Sequence, residues 1–388
     1  MKPPTQINHP PAVDLPADNH PLVAPIYQSV KFEFDTVEGA LGYFHGERPG
    51  FFYSRGSNPT TRQLELSLAR LQRRDDAIVC ASGVGAMSTT LLSLAKHGDH
   101  VLSFIETYPP TRQLLRRMLG KFGVRHTLLS LSDLTGVERV LREQPTLAVV
   151  FESPTNPTQR MADIAALTRL ARAHGALTVM DNTFAGPHQH GEFDVDLFTH
   201  SLTKSVGGHG DVLGGAVIGR RELIERLHPD FTLIGGTLDP HAAFLIQRGL
   251  KTYLLRYRAQ SASGQRIAEW LMSSSAVARV HYPGLPEHPG HALARRQMQD
   301  FGTVVSFDLH GGAEAGRRFA EALQLFATAA SLGATESLVL PPQMLGHQDL
   351  TPEQRAAAGL ASGTVRLSIG LEDVDDLLAD LRQALNAC

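Results

Sequence analysis

Leu197-Phe-Thr-His-Ser-Leu-Thr-Lys204-Ser-Val-Gly-Gly-His-Gly-Asp211 opens as a short apolar run, closes on Ser201, Thr203 and a lysine, and passes into glycines. Read outward from here, short apolar runs alternate with helical patterns. Ala77–Cys80, His100–Ile105, Leu147–Phe151, Leu177–Met180, Leu197–Thr199 and Ala216–Ile218 are the expected strands. Leu147–Phe151 and Leu177–Met180 are apolar on both faces, as buried parallel strands are. Between them, Met161–His174 reads as a crossover helix stopped by Gly175. Asn58 followed by Pro59 and a leucine-rich face predicts another helix start. The alternation predicts an α/β fold with an open, doubly wound, mostly parallel sheet, which takes its ligand beyond the C-terminal strand ends.

The polar residues after those strands are therefore the candidate site. Lys204 is one of only six lysines. An amine able to form a Schiff base, hydroxyl donors for a phosphate and glycines that admit a bound group are what pyridoxal 5'-phosphate (PLP) requires. A lysine near a strand end is otherwise usually a solvated charge, so the other strand ends decide. Leu177–Met180 ends in Asp181, whose carboxylate suits a protonated pyridine nitrogen. Cys80-Ala-Ser-Gly83-Val84-Gly85 joins a strand to a helix and offers free N–H groups to a phosphate. Leu147–Phe151 runs into Glu152 and Asn156 on the same edge. Each signal alone is weak, since aspartates cap helices and Gly-x-Gly is often a plain turn, but all have the polarity that PLP needs.

With 388 residues, 42% apolar and 19% charged, the chain can bury a core for about two domains. We place an N-terminal arm at 1–56, a PLP-binding domain at 57–245 and a smaller C-terminal α/β domain at 246–388. A long helical stretch follows Asp239-Pro240 to about Met272; Thr303–Leu309 and Val365–Ile369 read as strands, Glu314–Leu325 and Asp373–Leu385 as helices. The formal charge of −3, without a long basic run, points to a small-molecule partner rather than nucleic acid or a membrane surface. No apolar run spans a bilayer and the polar, Pro-rich N-terminus is unlike a signal peptide, so a cytoplasmic location is expected. Cys80 and Cys388 read as a core and a tail residue, and the 18 histidines form no metal-ligand spacing.

From about Ala24 to Leu385 the chain resembles the Cys/Met-metabolism family of PLP enzymes, which includes cystathionine γ-synthase, cystathionine γ- and β-lyases, methionine γ-lyase and homoserine-ester sulfhydrylases. The resemblance is carried by APIYQSVKF (24–32), YSRGSNPTTRQLE (53–65), ASGVGAM (81–87), KHGDHVL (96–102), ESPTNPT (152–158), MDNTF (180–184), HSLTKSVGGHGDVLGG (200–215), QRGLKTYLLR (247–256), YPGLPEHPGH (282–291) and VRLSIGLEDVDDLLADL (365–381). It implies PLP fold type I, like aspartate aminotransferase, and an enzyme that cleaves or forms C–S bonds by β- or γ-elimination or γ-replacement.

Carried over by position, the resemblance makes Lys204 the cofactor's covalent anchor and proton carrier and Asp181 the partner of its ring nitrogen. Gly83, Val84, Ser201 and Thr203 would hold the phosphate, and Tyr53 and Arg55 would reach the phosphate of a neighbouring subunit. That implies at least a dimer, in a homotetramer built from two dimers. Tyr108 would stack on the ring and act as acid–base at the leaving sulfur, its pKa lowered by nearby cations. Arg366 would clamp the substrate carboxylate with Ser331 nearby, and Asn156 would touch both cofactor and substrate.

The chain departs from the family pattern in four places. Pro109-Pro110 follow Tyr108 where Gly and a small or Cys residue are common, which stiffens the loop and takes away the thiol methionine γ-lyases usually carry, so methionine γ-lyase activity is the less expected one. Ala330 stands where cystathionine γ-lyases and γ-synthases tend to have Glu. Residues 340–350 replace a His-Pro-Ala…Met-Thr-His pattern, and Gln260-Ser-Ala-Ser263 lacks a usual asparagine. The leading expectation is a trans-sulfuration enzyme acting on cystathionine or an activated homoserine; the alternative, which these departures suggest, is a PLP lyase for another β- or γ-substituted amino acid, methionine γ-lyase-like or homoserine-ester sulfhydrylase-like.

Overall fold

A computed structural model describes residues 18–387. The expectations for the first 17 residues of the arm and for Cys388 lie outside that range. Seven strands form the larger sheet: β1 (Asp76–Cys80), β2 (His100–Phe104), β3 (Arg125–Leu129), β4 (Ala148–Glu152), β5 (Leu177–Asp181), β6 (Leu197–Ser201) and β7 (Gly215–Gly219). Their spatial order is β1-β7-β6-β5-β4-β2-β3, and β7 alone runs against its neighbours. All residues of β1, β2, β4 and β7 are buried. Alternate side chains enter two different cores. Val79, Phe104, Val149, Phe151, Met180 and Phe198 pack on one face, and Ile78, Val101, Val150, Val179, Leu197 and Val217 on the other. The doubly wound reading of the sequence therefore holds, because strands apolar on both faces need helices on both sides.

The second sheet contains β8 (Val277–His281), β9 (Val304–Leu309), β10 (Ala327–Thr328), β11 (Leu338–Leu340) and β12 (Thr364–Ser368), in the order β10-β11-β12-β9-β8. It is antiparallel except for the β10–β11 pair. Helices Tyr253–Met272, Gly312–Ala322 and Val374–Leu385 pack Ile267, Leu271, Phe319, Leu377 and Leu381 on Val305, Phe307 and Leu367.

Several local expectations are met and others are refined. The crossover helix runs Ile164–Ala173, and helix Pro59–Leu71 starts where the sequence places it, with the Asn58 side chain accepting from Thr60 N–H. The stretch after Asp239 is two helices, Pro240–Leu250 and Tyr253–Met272, instead of one. The arm contains a helix the sequence reading did not draw, Val37–Phe44, and a bridge between Lys31 and Tyr53. Among the described residues no helix is long and apolar enough to cross a membrane, and no group of three or more His, Cys, Asp or Glu side chains could hold a metal. Cys80 is buried, which pushes its thiol up to about 12.

Candidate active site

A cavity of about 520 Å³ opens at the C-terminal ends of β1, β2, β4, β5 and β6, with its far wall supplied by the second sheet and the loops around it. Ser82, Gly83 and Val84 come from the end of β1, Tyr108 to Thr111 from beyond β2, and Glu152 and Asn156 from β4. Asp181 and Thr183 follow from β5, and Ser201, Thr203 and Lys204 from β6; the far wall adds Ala330, Ser331, Leu340, Met344 and Arg366. Ten of the sequence-predicted residues thus meet in one place: Gly83, Val84, Tyr108, Asn156, Asp181, Ser201, Thr203, Lys204, Ser331 and Arg366.

Helix Gly83–Leu94 aims its N-terminus at this cavity. The capping Ser82 takes the Gly85 N–H on its side chain and the Ala86 N–H on its carbonyl, which leaves the Gly83 and Val84 amides free to receive an anion. Gly83 must be glycine, because a Cβ there would lie 2.6 Å from the Ser201 Cβ. Ser201 and Thr203 add hydroxyls from the facing strand end. Thr203 is partly committed, accepting from Gly214 N–H at 3.0 Å and donating to Gly214 O at 3.3 Å. This cradle fits a phosphate.

Asp181 faces the cavity with its carboxylate oriented by Thr183, whose N–H and hydroxyl both donate to Oδ1. Burial is the largest influence on this carboxyl and raises its pKa, against those two hydrogen bonds. A buried anion raised in this way gains most from a cationic partner, as a protonated ring nitrogen would be. Thr183 also accepts from Ser201 N–H, so one hydroxyl ties the strand end bearing Asp181 to the one bearing Lys204. Lys204 Nζ donates to Ser331 Oγ at 3.0 Å. Burial first, and the Arg366 charge second, lower the Lys204 pKa and favour the neutral amine that attacks an aldehyde.

Arg366 lies on β12, only 5% exposed. Its Nη1 donates to Asn156 Oδ1 at 2.9 Å and its Nη2 to Ser331 O at 2.8 Å, while its buried Nε has no partner. A buried guanidinium with an unanswered N–H is a receptor for a carboxylate. Ser331 stands at φ +111°, a region that favours glycine, which keeps its hydroxyl on Lys204 and its carbonyl on Arg366.

Tyr108 requires one correction. The expectation of a pKa lowered by cations is not met: burial is the largest influence and raises it, Asp181 and Glu152 raise it further, and Arg366 opposes without prevailing. The hydroxyl is held protonated. Sequence reasoning also left Glu152 without a role, although its two oxygens fix the site's walls by accepting from Tyr108 N–H and Asn156 N–H at 2.9 Å each. Burial, ahead of Asp181 and against these two bonds, raises the Glu152 pKa well above its usual value. Thr183 was missed as well. Its signal was its place in the strand-end text MDNTF. Tyr53 and Arg55 are not in this chain's cavity. Tyr53 is 44% exposed, and Arg55 lines a separate small pocket beside Thr61 and His228.

The family model described as Cys/Met metabolism PLP-dependent enzyme matches residues 11–386. An L-methionine γ-lyase of Pseudomonas putida is 45% identical over 372 residues, covering 94% of this chain and 93% of that protein. An O-succinylhomoserine sulfhydrylase of Pseudomonas aeruginosa is 39% identical over 364 residues, covering 93% and 90%. The crystal structure of a cystathionine γ-synthase from Xanthomonas oryzae pv. oryzae, in complex with aminoacrylate and cysteine, superposes with a TM-score of 0.89 at 37% identity, covering 94% of this chain and 93% of that one.

Proposed function

The chain belongs to the Cys/Met-metabolism family of PLP-dependent enzymes, and from that premise we propose that it cleaves the Cγ–S bond of an L-amino acid whose sulfur carries a small, uncharged group, as in methionine. Its cofactor is PLP, its substrate is a small amino acid and its chemistry is that of a C–S lyase or transferase. The choice of an uncharged thioether rests on one observation. The charged groups lining the cavity are Glu152, Asp181, Lys204 and Arg366, all of them engaged in the bonds described above, and the rest of the lining around Tyr108 includes Pro109, Pro110, Ala330, Leu340, Met344 and Leu345. The distal ammonium and carboxylate of cystathionine would find no unengaged counter-charge among the residues that line the cavity, and an unpaired charge in such a lining is expensive. A methyl thioether suits it.

The geometry supports the residue roles that the resemblance implies. We assign the phosphate to Gly83, Val84, Ser201 and Thr203, the ring nitrogen to Asp181 and the covalent anchor to Lys204. When bound, PLP supplies an electron sink that stabilises negative charge at the substrate's Cα. Arg366 Nε receives the α-carboxylate, and Asn156 and Ser331 fix the guanidinium plane. Lys204, whose pKa burial lowers, takes the proton from Cα, gives it up, and as the free amine again takes one from Cβ. Tyr108, kept protonated, donates to the sulfur as the Cγ–S bond breaks, so the thiol leaves neutral. With one water consumed, methionine gives methanethiol, 2-oxobutanoate and ammonia.

Tyr53 and Arg55 are assigned to the phosphate of a second copy, in a dimer that pairs again to a tetramer. Their exposure outside this chain's own cavity supports the reading, as do the exposed apolar residues around them, including Ile26, Tyr27, Val30, Phe44 and Phe52. The substrate assignment is tested by kcat/KM for L-methionine and L-cystathionine with the 2-oxo acid identified. Methionine should be favoured by about 100-fold or more, the cost of leaving a polar group unpaired in an apolar site.

A further inference from the structure

Arg112 carries the only guanidinium whose side chain is wholly enclosed among the ion pairs of the described residues, and the reaction makes no use of it. It sits in helix Pro109–Gln113, directly after the cavity-lining Tyr108 to Thr111. Nε donates to Asp349 Oδ2 at 2.9 Å and Nη2 to Asp349 Oδ1 at 2.6 Å, a two-pronged pair. Nη1 donates to the carbonyls of Ile105 and Thr107, and Nη2 also meets His347 Nδ1 at 3.4 Å. All five N–H groups have an acceptor, so the side chain has one geometry available. Because a guanidinium only donates, His347 Nδ1 must accept, with the proton on Nε2. That neutral form agrees with burial first, and Arg112 second, pushing His347 down to about 4. At Asp349 burial raises the carboxyl, but the bonds and charge of Arg112 outweigh it and hold the pKa below its usual value.

Asp349 and His347 follow Met344, Leu345 and Gly346, which line the same cavity as the Tyr108 to Thr111 segment. We propose that the buried Arg112–Asp349 pair is a strut between these two walls, a pair of positioning residues that sets the width of the slot receiving the group on sulfur. The proposal rests on the reading of the substrate as an uncharged thioether. Neither residue touches the reacting atoms, so loss of the strut acts on binding of the substituent and leaves proton transfer by Lys204 in place.

The test uses the PLP-loaded enzyme and a series of homocysteine S-alkyl ethers, from S-methyl (methionine) through S-ethyl to S-butyl. In the wild type kcat/KM should fall along the series. Asp349→Ala should raise KM for methionine, change kcat little, and shrink the S-methyl to S-butyl preference about tenfold, one methylene's worth of discrimination in an apolar slot. Asp349→Asn, which keeps volume and one acceptor, should restore part of the preference. A purely structural pair would lower the melting temperature and leave the preference unchanged, and that result overturns the strut. Should both variants fail to fold, amide exchange in the wild type decides. Residues 344–349 must exchange as slowly as 111–115, and exchange at the rate of a free loop overturns the proposal. Failure of the wild type to turn over any member of the series refutes the substrate reading instead.

Discussion

Arg366 shows how much one residue must satisfy at once. It is enclosed, charged, held by Asn156 and Ser331, and left with its buried Nε unanswered. Arg366→Lys keeps the charge but loses the planar fork. KM for methionine should rise about 10- to 100-fold, the worth of a charge-assisted bond of about 1.5–3 kcal/mol; steady-state kinetics showing an unchanged KM would remove Arg366 from the carboxylate site. Lys204→Ala should abolish turnover and the absorbance of the lysine-bound cofactor. Lys204, Asp181 and Gly83 were legible in the sequence because each sits within a few residues of a strand end whose type was clear. Ser331 could be placed only by resemblance, and its left-handed backbone has no sequence signal in a non-glycine residue. The Arg112–Asp349 pair was illegible: its members are 237 positions apart, and each alone reads as a surface charge.

At the scale of elements, the cradle depends on how closely helix Gly83–Leu94 approaches β6. Gly83→Ala places a methyl 2.6 Å from the Ser201 Cβ and 2.8 Å from its Cα. Such overpacking costs about 1–3 kcal/mol, so PLP affinity should fall tenfold or more in a cofactor titration while the fold persists. Strand β6 also carries His200, fully buried and bonded to Gln72, with its pKa pushed down to about 3 by burial first and the His190 and His188 charges next. Between pH 6.5 and 3 the unfolded chain binds a proton at this residue that the folded one refuses. The stabilisation is therefore full above 6.5 and falls as the pH drops below it. Relative to His200→Gln, the wild type should lose about 1.4 kcal/mol per pH unit below 6.5; parallel denaturation curves at pH 6.5 and 5.5 would contradict this. The strands the sequence concealed have a common cause. β3 is an edge strand with an exposed or half-buried pattern, β8 is half exposed, and β10 and β11 are two and three residues long. None shows an apolar run as long as the one that marks β4; that of β11 is apolar throughout but only three residues long.

For the whole molecule, the cavity exists because two sheets with separate cores meet over it, one bringing Lys204 and Asp181 and the other Arg366 and Ser331. The alternation of strands and helices made the first sheet legible, but the wall that faces it comes from 330–366, far along the chain, and includes Ala330 and the 340–350 stretch, two of the places where the chain departs from the family pattern. Sharing of sites between copies has its own test. Arg55→Ala and Lys204→Ala should each be inactive, and a refolded mixture should recover up to about a quarter of wild-type activity, since mixed dimers of a two-fold assembly contain one intact site. No recovery would place Arg55 outside the site.

The central claim is the uncharged thioether, and the most direct measurement is the rate of 2-oxo acid formation by PLP-loaded enzyme from L-methionine and from L-cystathionine, side by side. Methionine should give 2-oxobutanoate and methanethiol, with cystathionine turned over about 100-fold less efficiently or worse. Cystathionine cleaved as well as methionine or better, to 2-oxobutanoate or to pyruvate, would contradict it.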